Sequence, residues 1–148
     1  MNYYILDLSL FLIINCANII ISIIFIIRVK KPGLERILGI LYILLGAPTL
    51  LIIILNLYFQ REWWFWVYPL LFIIFIVFEL VVDYLKKIEF RNPRNIRILV
   101  PYLSLYYISI ILMWGLTWTL GILYGAITGI TYFLQLGCSF YAGKKGVG

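Results

Sequence analysis

Long apolar blocks constrain this chain more than any other feature of its sequence. Three of them, residues 4–27, 37–59 and 67–85, each have about the 20 residues that a helix needs to cross a membrane, and short polar stretches separate them. Hydrophobic residues make up 65% of the chain and charged residues 12%, against about 45–50% and about 25% in an average soluble domain. The sequence therefore predicts an all-α integral membrane protein, with residues 1–148 forming a single transmembrane domain.

The last apolar block, residues 98–143, is about twice as long as one spanning helix and must fold back on itself. A turn is predicted around Gly115, because this flexible residue lies between two tryptophans and tryptophan prefers the membrane interface. We therefore expect a fourth span at residues 98–114 and a fifth at residues 119–142. The result is a bundle of five transmembrane helices, and a bundle of four spans is the alternative.

Basic residues are concentrated on one side of the predicted spans. With the N-terminus outside, Arg61 is the only one of the twelve Lys and Arg residues on the outer side, and the positive-inside rule favours this orientation. The C-terminus is then cytoplasmic. Both outer turns are rich in tryptophan, which agrees with an interfacial position. The tryptophans of these turns are Trp63, Trp64, Trp66, Trp114 and Trp118.

Small and polar residues indicate which helix faces point into the bundle, because lipid tails are as apolar as leucine and do not distinguish inside from outside. Two predicted spans have such residues along a single face at helical spacing. Pro48 is expected to bend the second of these spans. The inward residues are Asn15, Asn18 and Ser22 in the first span, and Gly39, Tyr42, Gly46 and Thr49 in the second.

The fifth predicted span carries three glycines at a spacing of four residues: Gly121, Gly125 and Gly129. Glycines at this spacing let two helix backbones approach closely, because no side chain separates them. We expect this stripe to pack within one chain. A seam between two copies of the chain is the alternative, and both alternatives are open at this stage.

Two carboxylates lie in the third predicted span, four residues apart and so on one helix face. Asp83 lies near the inner membrane surface, where Lys87 follows it at a distance of four residues. We expect these two side chains to form an interfacial ion pair, which makes Asp83 poor evidence of function. Glu79 lies about one turn deeper, where a charged group is costly and therefore indicates function by default.

Other spans place polar groups at a depth similar to that of Glu79, and together they predict a polar layer slightly inside the midplane. Three interpretations are open: a hydrogen-bonded network that fixes helix packing, a site for a ligand or an ion, or polar groups that face lipid without a function. The candidates for ligand binding or proton coupling are Glu79, Asn15, Asn18, Ser104, Thr128 and Gln135.

The composition excludes several kinds of chemistry. The chain has no histidine, and its two cysteines, Cys16 and Cys138, show no metal-binding spacing. Histidine-based catalysis and histidine-ligated metal sites are therefore excluded. An aspartate dyad is not expected either, because Asp7 is predicted near the outer surface and Asp83 near the inner one. We expect a non-enzymatic protein without a metal or cofactor.

These features predict a small polytopic membrane protein that binds or transports a hydrophobic or small polar ligand through the layer around Glu79. The alternative is an accessory or structural subunit that docks on a larger membrane complex through the glycine-rich fifth helix. The net charge of +6 comes from short segments between the spans, which favours contact with anionic lipids on the inner face and not with nucleic acid. We expect a homo-oligomer or a larger membrane partner, in a prokaryotic plasma membrane.

The charge distribution makes a direct prediction about topology. Lys144 and Lys145 should face the cytoplasm, so a reporter enzyme fused after residue 148 should be active only if it works in the cytoplasm. The measurement compares β-galactosidase with alkaline phosphatase fused at the same position. Activity of alkaline phosphatase alone would contradict the five-span topology with an outer N-terminus.

Overall fold

The structure is a computed structural model that describes residues 3–30, 33–88 and 95–146. The protein is 87% helical, and the described residues include no strand, which confirms the all-α fold. In these ranges six α-helices and one π-helical segment follow one another along the chain. They are α1 (Tyr4–Lys30), α2 (Leu34–Leu44), α3 (Gly46–Tyr58), α4 (Trp64–Glu79), the π-helical segment (Leu80–Leu85), α5 (Ile96–Thr117) and α6 (Ile122–Lys144).

Within the part of the chain that the structure describes, these helices form the five membrane spans that the sequence predicts. The helices α1, α5 and α6 each form one span, whereas α2 with α3, and α4 with the π-helical segment, form the other two. Because α5 and α6 are separate, the four-span alternative is wrong. We call one end of the bundle the tryptophan end, where the turns at residues 59–63 and 118–121 lie. We call the other the basic end, which holds Lys30, Lys86 and Lys144.

The turn between the last two spans lies later than predicted. Helix α5 continues through Gly115 as far as Thr117, and the chain reverses over residues 118–121. Gly121 has a φ of 136°, a conformation that other residues rarely adopt, so this glycine fixes the position of the turn. It is therefore a turn residue and not the helix-packing residue that the sequence predicts. All predicted span boundaries lie within three residues of those observed.

Pro48 interrupts the second span, where the sequence predicts a bend. Proline has no N–H to donate to the carbonyl of Leu44 four residues earlier, so the α-helical pattern breaks near this point. Helix α2 ends at Leu44, and α3 begins at Gly46 after the single turn residue Leu45. The hydroxyl of Thr49 donates a hydrogen bond to the carbonyl of Leu45 at 2.7 Å and so satisfies an acceptor at the break.

Helix α1 is the central element of the bundle. It packs most extensively along α6 and also contacts α2, α3 and α5, whereas α4 packs between α3 and α5. The core consists of apolar residues such as Ile14, Phe72 and Ile110, none of which has any exposed surface. All of the small and polar residues expected to face inward in the first two spans are buried, which confirms that part of the prediction. They are Asn15, Asn18, Ser22, Gly39, Tyr42, Gly46 and Thr49.

The glycines of α6 form a surface on which two indole rings of the same chain dock. A Cβ added at Gly129 would lie 2.9 Å from Cζ2 of Trp114, and one added at Gly125 would overlap the ring of Trp118. The indole Nε1 of Trp114 donates to the carbonyl of Gly125 at 2.7 Å, and its ring stacks on Tyr132 with centroids 5.7 Å apart. The expected close approach of two backbones is thus wrong in detail, since indole rings fill the space that the missing side chains leave.

This docking predicts opposite effects for two alanine substitutions on α6. Gly129→Ala should lower the melting temperature in detergent, because the new methyl group must displace the hydrogen-bonded ring of Trp114. Gly137→Ala is the control, since nothing lies within 4 Å of its added Cβ. Alanine is favoured over glycine in a helix by about 1 kcal/mol, so the control should keep or raise the melting temperature. Equal shifts in the same direction would contradict the docking.

Candidate functional site

A ladder of side-chain hydrogen bonds joins α1 to α6. The amide Nδ2 of Asn15 donates to Thr128 Oγ1 at 3.0 Å, and Asn15 Oδ1 accepts a hydrogen bond from Thr131 Oγ1 at 2.8 Å. One turn further along, Asn18 Nδ2 donates to Thr131 Oγ1 at 3.0 Å. The bonds Asn15–Thr128 and Asn18–Thr131 both join residues that are 113 positions apart in the sequence. Because this separation stays constant along the pair, α1 and α6 run in the same direction. Asn15 and Thr128 therefore bind each other, and Thr131 is a partner that the sequence analysis missed.

The same register places Gln135 level with Ser22, one turn nearer the basic end. Gln135 has no exposed surface, and among the described residues neither its Nε2 nor its Oε1 has a hydrogen-bond partner. The Oδ1 atom of Asn18 is also buried without a partner. An amide offers two donors and an acceptor, so a fully buried one without partners is unusual in a folded protein.

A group of aromatic rings lies around Phe75, on the side of the interior formed by α2, α4 and α5. The ring of Phe75 is 5.0 Å from that of Tyr106, 5.3 Å from that of Tyr102 and 6.1 Å from that of Tyr42, measured between centroids. Tyr42 and Tyr106 are 1% and 4% exposed, and in the described part of the chain their hydroxyls are buried without hydrogen-bond partners. Of these residues, only Tyr42 is predicted from the sequence to lie on an inward face.

Glu79 is the last residue of α4, immediately before the π-helical segment, and is half-buried. It follows Phe75 by four residues on α4, so the two side chains share a helix face and Glu79 lies on the side of the aromatic group. In the π-helical segment the backbone N–H of Lys86 bonds to the carbonyl of Val81, five residues earlier, at 2.8 Å. Such widened turns occur frequently at functional sites, so Glu79 lies at a locally unusual backbone.

These polar groups lie at a common level of the bundle, which we call the interior polar layer. Each member is between six and twelve residues from the basic end of its own span, which corresponds to about 9–18 Å along the helix axis. Each comes from a different span. Its members are Asn18, Tyr42, Glu79, Tyr106 and Gln135.

Ser104 does not belong to this layer, although the sequence analysis expected it there. It is exposed on α5, because it lies two residues before Tyr106 and therefore about 200° around the helix from that buried residue. The buried serine of α5 is Ser109, whose hydroxyl donates to the carbonyl of Tyr106 at 2.8 Å. The helix face predicted for Ser104 is therefore wrong.

The expected ion pair between Asp83 and Lys87 is also absent from the described residues, where the ion pairs are Arg28–Glu35 and Arg61–Asp7. Asp83 lies within the π-helical segment, and Lys87 lies beyond its end with a φ of 49°. The regular α-helical geometry that brings residues four apart together is therefore interrupted between them.

A second polar cluster lies at the tryptophan end. Arg61 binds Asp7 through two hydrogen bonds of 2.6 and 3.2 Å, and its Nη1 also donates to Asn56 Oδ1 at 3.1 Å. Its guanidinium carbon lies 3.5 Å from the ring centroid of Phe65 and 4.7 Å from that of Tyr3. Both charged side chains are largely buried, with 8% and 14% of their surface exposed. This cluster joins the start of α1 to the turn between α3 and α4, and its polar groups satisfy one another.

The chemistry of the two clusters therefore differs. The arginine cluster has its partners within the chain and is a structural clamp. In the interior polar layer, by contrast, the amide of Gln135 and the hydroxyls of Tyr42 and Tyr106 have no hydrogen-bond partner among the described residues. Within the described ranges no three Cys, Asp or Glu side chains are close enough to hold a metal ion together. No protein-family model, curated protein or solved structure matches this chain.

The arginine clamp predicts a strong dependence of stability on both partners. Arg61→Met should lower the free energy of unfolding by about 3–5 kcal/mol, because it leaves the buried Asp7 carboxylate without its cation. The double variant with Asp7→Leu should lose less than the sum of the two single variants. Glu35→Gln is the control, since its ion pair with Arg28 is more exposed and should contribute about 0–1 kcal/mol. Additive losses in chemical unfolding would show that the two residues act independently.

Proposed function

We propose that this protein is a non-enzymatic membrane protein that binds or transports a small polar ligand, or the polar head of an amphipathic one, at the interior polar layer. The observation that carries the proposal is Gln135, which is fully buried with both amide atoms lacking a partner among the described residues. A ligand that contacts Gln135 would complete hydrogen bonds that the described residues leave open.

Energetics favours a ligand over a purely structural role. A buried amide or hydroxyl without a hydrogen bond costs about 1–3 kcal/mol, and no bulk water is present in the hydrocarbon core to compensate. Polar groups that fix helix packing are expected to bind one another, as Asn15 and Thr128 do. Gln135, Tyr42 and Tyr106 do not follow that pattern, so their polar atoms add little to packing and are suited to binding.

Glu79 supplies the acidic group of the proposed site. It shares a helix face with Phe75, four residues earlier, and precedes a π-helical segment, so it combines a protonatable side chain with an irregular backbone. These properties support its role as the proton-coupled candidate if the protein transports its ligand.

The proposal extends to the surroundings of the protein. We place it in a prokaryotic plasma membrane as a homo-oligomer, with anionic lipids bound at the basic end. The lysines there, which include Lys30, Lys86 and Lys144, are exposed and can contact lipid phosphates. Nothing favours the alternative of an accessory subunit docking through the glycines of α6, because the rings of Trp114 and Trp118 already cover Gly129 and Gly125.

Gln135→Leu tests the proposal, because binding and stability should change in opposite directions. The substitution removes two unpartnered polar atoms and keeps a similar volume, so the melting temperature of the purified protein should rise. The measurement is the further shift in melting temperature caused by butylammonium, butyramide or butyrate, which are probes of similar size and different charge. At least one probe should stabilise the wild-type protein and fail to stabilise Gln135→Leu.

Ser104→Ala is the matched control, since this exposed serine lies at a similar depth outside the layer. Its response to the probes should equal that of the wild-type protein. If none of the three probes stabilises the wild-type protein, or if Gln135→Leu lowers its melting temperature, the interior polar layer is a packing network and the proposal is wrong.

A further inference from the structure

We propose that α2 is a movable segment, which closes the interior polar layer in the described structure and opens it by withdrawing the side chain of Tyr42. This inference rests on the proposed function, because it describes how a ligand reaches that layer. It depends on three features of α2: the breaks in the helix at its two ends, the small part of its surface that is buried, and the contacts that hold it in the closed position.

Both ends of α2 are breaks in the regular backbone. At one end Leu45 separates α2 from α3, and Pro48 has no N–H to donate to the carbonyl of Leu44, so the hydrogen-bond pattern of the span is interrupted. At the other end Gly33 is exposed and has a φ of 116°, which other residues rarely adopt. Residues at the ends of elements absorb the backbone rotations of hinge motions. Helix α2 can therefore turn as a unit and keep its own hydrogen bonds.

Little of the surface of α2 is buried. Of its 11 residues, only Gly39 and Tyr42 are buried, whereas α3 in the same span buries five residues, which include Ile52 and Asn56. Lipid is as apolar as the interior of the bundle, so packing and polar contacts, and not the hydrophobic effect, hold α2 in place. Elements with few buried contacts open most readily. Its outer face consists of exposed apolar residues, namely Leu34, Ile37, Ile40, Leu41 and Leu44.

Tyr42 is the residue of α2 that fills the interior. Its ring centroid lies 5.8 Å from that of Phe72 and 6.1 Å from that of Phe75, with the ring planes nearly perpendicular. The hydroxyl of Tyr42 is buried and has no hydrogen-bond partner among the described residues, which costs free energy in the closed position. When α2 turns outward, this cost is removed and a space the size of a tyrosine side chain opens beside Phe72 and Phe75.

Two polar contacts near the basic end hold α2 in the closed position, and we call them the latch. The hydroxyl of Tyr84, in the π-helical segment, donates to the carbonyl of Arg36 at 3.1 Å and fills the space above Gly39. In the second contact, Arg28 Nε lies 2.9 Å from Glu35 Oε2 and joins the start of α2 to α1. Both contacts are partly exposed, and ion pairs of this kind are weak. The latch therefore favours the closed position without preventing movement.

The experiment places a ring-fluorinated tyrosine at position 42 of the full chain and records its fluorine magnetic resonance signal in lipid nanodiscs without any ligand. Saturation-transfer measurements should show a second state of Tyr42, which lipids with a nitroxide on the acyl chain broaden more strongly than the main state. Tyr84→Phe should raise the population of this second state about two- to tenfold, since it removes one hydrogen bond of the latch. Pro48→Ala should lower it, because alanine restores the N–H that joins α2 to α3.

Tyr58→Phe is the matched control, because this exposed tyrosine lies at the far end of α3 and its hydroxyl is not part of the latch. It should leave the population of the second state unchanged. The movement of α2 is refuted if no second state exists, if Tyr84→Phe and Tyr58→Phe have equal effects, or if Pro48→Ala raises the population. None of these results affects the proposed function, which the butyl probes test separately. Movement of α2 as expected, together with failure of every probe to stabilise the protein, would support the hinge and overturn the proposed function alone.

Discussion

Hydrogen bonds between the asparagines of α1 and the threonines of α6 hold the first and last helices of the chain side by side. Inside a membrane, helices gain little from the hydrophobic effect, so close packing and polar contacts decide which of them associate. Asn15 and Asn18 reach Thr128 and Thr131 in one constant register, and the other spans pack around this pair. The position of every polar side chain in the interior depends on that register.

The interior therefore contains polar groups of two kinds. The α1–α6 ladder and the clamp of Arg61 on Asp7 have their partners within the chain, and they determine how the helices are arranged. Gln135 and the hydroxyls of Tyr42 and Tyr106 lie buried without such partners in the described structure. Natural proteins often keep groups of the second kind where activity needs them, at a cost in stability. For this reason our proposal for the function rests on Gln135 and not on the ladder.

The number of spans could be predicted from the sequence because it depends on lengths that the bilayer fixes. Inward faces were also predictable where several small or polar residues share one face, as Asn15, Asn18 and Ser22 do. Ser104 is a residue for which this method fails, because a single serine indicates a position along the span but does not indicate which helix face points inward. Tyrosines mislead for another reason: they are common at membrane interfaces, so nothing in the sequence indicates that Tyr106 is buried.

Two further differences between the predictions and the structure come from backbone geometry, which cannot be inferred from amino-acid composition. Gly115 and Gly121 are both plausible turn residues, and only the φ of 136° at Gly121 identifies the one that is used. The π-helical segment likewise explains why the predicted contact between Asp83 and Lys87 is wrong, because a spacing of four residues indicates a shared face only where the helix is regular. The buried clamp on Arg61 had a weak signal in its sequence, namely a single arginine among aromatic residues on the side that is otherwise poor in basic charge.

The pairing of α1 with α6 has a consequence for how the chain is made. A ribosome delivers α1 to the membrane before α6, so Asn15 and Asn18 are without the threonines that later bind them until α6 has been made. During that interval their amides must be solvated by lipid headgroups, by water at the insertion site or by an assisting protein. The bundle closes only when the final span arrives, and a ribosome that stalls before Thr128 leaves a chain whose central helix has no permanent neighbour on its most polar face.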